Sequence, residues 1–141
     1  MDNFKIYISP GDYQDEMFLN MTRMLEAEGC QIICYLECIG YDKIENDIEN
    51  CDCLLALLDD HFWASTWRMI EITFASGDCP SFYNSVKNNK HVNIAKPTPV
   101  FIMPIPYDRE LGFLKKLSNS TILPPNPRDA VRTIKQRFAN K

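Results

Sequence analysis

The residues best placed to do chemistry fall between Cys53 and Gly77, where the apolar run Cys53-Leu-Leu-Ala-Leu-Leu58 halts at Asp59 and Asp60 and a helical pattern takes over. Glu71 follows Trp67 by four residues, which sets the two on one side of that helix. A carboxylate beside an indole, one turn into a helix that starts next to a strand end, faces the crevice where open α/β sheets bind ligands. A fixed carboxylate there can stabilise positive charge or capture a carbon. The plainer reading of Glu71 is an acid that complements the positive end of a helix dipole. Asp59, Asp60 and His61 are metal-type residues, but adjacent acids in a loop read as a solvated strand end, and no metal site is expected.

The elements that must carry these residues follow from the pattern. Residues 53–58 are apolar on both faces, as in a strand covered above and below by helices. Ser65 is an N-cap candidate, and Trp67, Ile70, Phe74 and Gly77 then recur at helical spacing. Upstream, residues 4–9 read as a strand that breaks at Pro10-Gly11-Asp12, residues 14–28 as a helix ended by Gly29, and residues 31–36 as a second strand. Residues 37–41 form a loop and 42–50 a short helix. Downstream, residues 78–97, with Phe82, Tyr83 and His91, read as a long polar excursion. Residues 98–104 are a fourth strand, 111–117 a short helix and 120–123 a weak fifth strand. Asn126 and Pro127 open a last helix reaching about Ala139. Strands and helices that alternate with short connections predict one domain over residues 1–141. Its expected class is α/β, a flavodoxin-like three-layer sandwich around a central parallel sheet of about five strands.

Composition narrows the function. A chain of 141 residues, 45% hydrophobic and 24% charged, buries enough surface to fold without disulfides. A formal net charge of −4 gives no footprint for nucleic acid or for an anionic membrane. No basic and apolar leader opens the chain and no apolar run matches a membrane span, so a cytoplasmic protein with reduced cysteines is expected. Cys30, Cys34 and Cys38 recur every four residues and Cys51 and Cys53 flank one residue; none makes the Cys-x-x-Cys pairs that structural zinc favours.

In this order of elements the chain resembles a TIR domain, the flavodoxin-like module of innate-immune receptors and of bacterial antiphage (Thoeris-like) proteins. Phe4-Lys-Ile-Tyr-Ile-Ser9 followed by a Gly-containing loop is similar to the family's first box, and residues 37–41 take the place of its BB loop. The sharpest match is Ser65-Thr-Trp67-Arg-Met-Ile-Glu71 after the third strand. The resemblance implies that Glu71 is the carboxylate required for cleaving NAD and that Trp67 is a wall of the pocket. It also makes Ser9, Pro10, Gly11 and Asp12 candidates for contacting the substrate. NAD is then the substrate and no separate cofactor is called for. The partners implied are further copies of the chain or another TIR domain. Breaking the nicotinamide–ribose bond builds oxocarbenium character on the sugar, which a carboxylate can stabilise. Water attack would give ADP-ribose and adenine attack a cyclic product; the sequence leaves both open. The insertion at residues 78–97 and a BB loop without basic or proline-rich character depart from the pattern.

Two rivals remain. Leu57-Leu-Asp-Asp60 and Glu71-Ile-Thr-Phe-Ala-Ser-Gly77 partly resemble the nucleoside deoxyribosyltransferases and related N-glycosidases, although Trp67-Arg-Met-Ile stands where that family usually has small residues. The non-enzymatic rival is a TIR interaction module in which Glu71 is only a helix-start charge.

Overall fold

The apolar runs of the chain pair into one sheet because each is short, rich in aliphatic residues and bounded by turn formers. The computed structural model describes residues 3–12, 14–37, 40–77 and 97–139. Strands β1 (Lys5–Pro10), β2 (Gln31–Ile33), β3 (Cys53–Leu58), β4 (Val100–Pro104) and β5 (Ser120–Ile122) form a five-stranded sheet in the order β2-β1-β3-β4-β5. Every pairing is parallel. Helices α1 (Glu16–Ala27), α2 (Tyr41–Glu49), α3 (Asp60–Trp63), α4 (Thr66–Ser76) and α5 (Pro127–Ala139) and a 3-10 turn at Gly112–Lys116 complete the order. This is the flavodoxin-like α/β sandwich expected.

The period-2 alternation of β3 shows why both faces must be covered. Leu54, Ala56 and Leu58 pack with Ile44 and Ile48 of α2 and with Ile72, Phe74 and Ala75 of α4. Cys53, Leu55 and Leu57 pack on the other face with Met21 and Leu25 of α1 and Ala130, Val131 and Ile134 of α5. Each such aliphatic side chain contributes about 1.5–3 kcal/mol when fully buried. Helix starts follow local chemistry. Asp15 accepts from the Met17 amide, Ser65 from Arg68, and Asn126 from Arg128.

The short helix expected at 111–117 is a 3-10 turn over residues 112–116. Two expectations need correction. β2 ends at Ile33, not residue 36, because this edge strand pairs only with β1 and the Tyr35 carbonyl beyond it accepts from a side chain of α4. Residues 60–63, expected as loop, form a helical turn that Asp59 caps. Of the excursion at 78–97, all but Pro97 lies outside the described residues, with Phe82, Tyr83 and His91; so do residues 38 and 39 of the BB-like loop. Its far end returns to its start. Gly77 closes α4 at φ 86°, and a Cβ there would sit 3.1 Å from Pro97 Cγ. Among the described residues no helix is long and apolar enough to cross a membrane.

Candidate active site

The strand order reverses between β1, which β2 flanks, and β3, so the crevice between their carboxyl ends is the switch point where such sheets bind ligands. Tyr7 and Ser9, two residues apart on β1, point to the α4 face, and Glu71 reaches them from α4. Its carboxylate accepts from three side chains. Ser9 Oγ donates to Oε1 at 2.9 Å, Arg68 Nη1 donates to the same oxygen at 3.0 Å, and the Tyr7 hydroxyl donates to Oε2. Glu71 is only 2% exposed. Arg68 is buried as well, with Nη2 donating to the Tyr35 carbonyl at 2.5 Å and its guanidinium carbon 3.6 Å over the Trp67 ring.

Opposing effects set the charge state of this cluster. Burial pushes the Glu71 carboxyl above the ordinary carboxylate range, against the pull of the Arg68 charge and of hydrogen bonds from Tyr7, Arg68 and Ser9. Burial, then the Glu71 charge, pushes the Tyr7 hydroxyl well above its ordinary value, so it remains a donor. Burial also pushes the Cys34 thiol up to about 11, with the Arg68 charge drawing it down. The result is a water-poor carboxylate with one permanent counter-charge, and there its interactions are stronger than they would be in water.

Of the residues expected at the site, Glu71 and Ser9 come together and Trp67 does not touch the carboxylate directly. The buried stripe of α4 runs through Arg68, Glu71, Ile72 and Ala75, which turns Trp67 to the edge, where it supports Arg68 from beneath. Pro10 closes β1 against Leu57 of β3. Gly11 lies so close to α3 that a Cβ would fall 1.7 Å from Asp59 Oδ1. The amide of Asp12, a candidate substrate contact, already donates to Asp59 Oδ2 at 3.1 Å. Asp59 is therefore no solvated strand end. It is 8% exposed and also accepts from the Phe62 amide at 2.9 Å, while Asp60 beside it is open to solvent and pairs with Arg109 at 2.8 Å. Tyr7 and Arg68 were missed, although period 2 on β1 and an i,i+3 offset on α4 were both readable. A cavity of about 680 Å³ between α1 and α5, lined by Phe4, Met24, Val131 and Lys135 among others, is remote from this cluster, and the carboxylate in its lining, Glu28, pairs with Lys135 at 2.9 Å. Among the described residues no three His, Cys, Asp or Glu side chains gather as metal ligands.

Comparison with known proteins adds a structural likeness. No protein-family model matches the chain, and no curated protein matches it. Among solved structures, the CMP N-glycosidase BcmB of Clostridium botulinum is similar, with a TM-score of 0.58 and 12% identity over 93% of this chain and 98% of that one. The likeness shows a shared fold.

Proposed function

We propose that this protein is an N-glycosidase that hydrolyses the bond between the sugar of a nucleotide and its base. The observation that carries the reading is the Glu71 carboxylate, buried at the switch point and fixed by Tyr7, Ser9 and Arg68. The fold shared with a CMP N-glycosidase supports the same reaction class. In this reaction the C1′–N bond breaks, its electron pair leaves with the base, and positive charge builds on C1′ and the ring oxygen. Glu71 stabilises that charge or captures C1′ as an ester; water then delivers hydroxide to C1′, and its proton balances the departing base. NAD belongs to this substrate class, because its nicotinamide–ribose link is a bond of the same kind, and the TIR resemblance gives it first place in the panel.

The test is incubation of the concentrated protein with NAD, CMP and deoxycytidine, products being resolved by chromatography and mass. Release of the base from one of them, reduced at least about 10²–10³-fold in Glu71→Gln, is the expected result. Equal rates in wild type and Glu71→Gln would overturn the role of Glu71. No turnover by a folded protein that self-associates would leave the TIR interaction module as the better description.

A further inference from the structure

We propose that Arg68 is a positioning residue for this reaction: it selects which oxygen of Glu71 is free for the sugar and ties the carboxylate to the segment after β2. The inference rests on the N-glycosidase reading; the tie between Arg68 and the charge of Glu71 is tested apart from it. A carboxylate oxygen has two lone-pair sites. Those of Oε1 are both filled, by Ser9 Oγ and Arg68 Nη1, whereas among the described residues Oε2 accepts only from Tyr7. Oε2 thus keeps the acceptor capacity that a ribose hydroxyl or C1′ requires.

The guanidinium is held at three points. Nη1 is fixed on Glu71, Nη2 on the carbonyl of Tyr35, 33 residues away in sequence, and the plane lies on Trp67. A rigid fork of donors can join two elements and stack at once, which a lysine ammonium cannot. Tyr35 is itself anchored, its hydroxyl donating to Asp47 of α2, which also accepts from Lys43. A shift of the segment after β2 is therefore transmitted through one side chain to the carboxylate.

Among the described residues, Tyr7 faces Glu71 from β1, the Cys34 thiol in the segment after β2 feels its charge, and Arg68 shares its helix. The sheet residues packed beneath α4, Ala56, Leu58 and Ile102, are apolar. Helix α2, packed beside α4, carries Asp42, Lys43, Glu45, Asp47 and Glu49, and α3 carries Asp60 and His61. Arg68 is the cation bonded directly to the carboxylate.

The experiment follows the side-chain carboxyl carbon of Glu71 by ¹³C NMR, assigned by its absence in Glu71→Gln, in wild type, Arg68→Gln and Arg68→Lys. In parallel it records pH–rate profiles on whichever of NAD, CMP or deoxycytidine the wild type cleaves. In Arg68→Gln the Glu71 titration and the acid limb of the rate should move about 1–3 pH units higher, because the opposite charge is gone. In Arg68→Lys both should stay near the wild-type position while kcat falls about 10²-fold with KM nearly unchanged, as for a misplaced reacting group. An unmoved titration in folded Arg68→Gln, or wild-type kcat in Arg68→Lys, would overturn the proposal. Should Arg68→Gln not fold, Arg68→Lys decides through its kcat and KM. Should no substrate be cleaved, the N-glycosidase reading fails and the NMR titration still decides the role of Arg68.

Discussion

Removing Arg68 while keeping its apolar stem, as in Arg68→Met, tests whether the site is a buried ion pair in energetic fact. The pair closes at 3.0 Å with side chains 5% and 2% exposed, so solvent screening is weak. Breaking a buried pair by deleting one partner costs about 3–5 kcal/mol. At about 2–4 °C per kcal/mol for a domain near this size, Arg68→Met should melt about 6–20 °C below wild type near pH 8. The loss must depend on pH, with a definite sign. Burial already holds the Glu71 carboxyl above its ordinary value, and Arg68 is the largest influence opposing that. Without Arg68 the folded state holds the Glu71 proton to a still higher pH than the unfolded state does. Stability from that proton is complete below the ordinary carboxylate range and is lost as pH rises through the raised folded value.

The deficit of Arg68→Met relative to wild type should therefore shrink on going from pH 8 to pH 5.5, each pH unit within the window restoring up to about 1.4 kcal/mol. Glu71→Gln should show no such recovery, because a guanidinium keeps its charge throughout. Urea unfolding at both pH values, on both single variants and the double variant, supplies the cycle. The double variant should lose no more than the worse single one, since it leaves no unpaired charge. Losses that add to within about 0.5 kcal/mol, or an Arg68→Met deficit equal at the two pH values, would refute the reasoning.

Two further outcomes follow from the same geometry. Tyr7→Phe removes the donor to Oε2, a hydrogen bond to a charged group worth about 1.5–3 kcal/mol, and should lower the unfolding free energy from urea titration by that amount, and the midpoint with it, while moving the acid limb of any rate profile upward. An unchanged midpoint would show that the hydroxyl is dispensable. Gly11→Ala places a Cβ 1.7 Å from Asp59 Oδ1 and 2.6 Å from the Phe62 amide, so Asp59 must release either its cap on α3 or the Asp12 amide. A loss of about 1–3 kcal/mol in thermal unfolding is expected; wild-type stability would mean that the β1 and β3 ends separate without cost.

The sheet was legible because strands covered on both faces leave uninterrupted apolar runs, and β3 spans the predicted residues, 53–58. β2 was overextended for the complementary reason. Beyond Ile33, Tyr35 packs on the α4 side of the core and Cys34 on the other side, while Leu36 is exposed, so apolarity persisted after the ladder had ended. Glu71 was legible as a helix residue opposite a strand end, but its setting was not. An i,i+4 neighbour and an i,i+3 neighbour are equally close on a helix surface, and only the tertiary packing of α4 decides which of Trp67 and Arg68 turns inward. Asp59 failed in the opposite sense. Two adjacent acids look solvated, yet one of them caps α3 and holds the Asp12 amide, a role that requires two loops distant in sequence to meet.

Those two misses bear on function together. The loop after β1, expected to contact the substrate, directs its Asp12 amide onto Asp59, and the charged groups that approach the crevice from α4 are spent on one another. What the proposed reaction would use is consequently Oε2 of a buried carboxylate, which among the described residues accepts only from Tyr7. A simple salt bridge would not need Tyr7 and Ser9 to be buried beneath the same carboxylate, since each adds a desolvation cost that a hydrocarbon at that position would avoid. A group that must carry charge at a fixed place while a sugar becomes positive does need them, because donors already oriented require no reorganisation as the bond breaks.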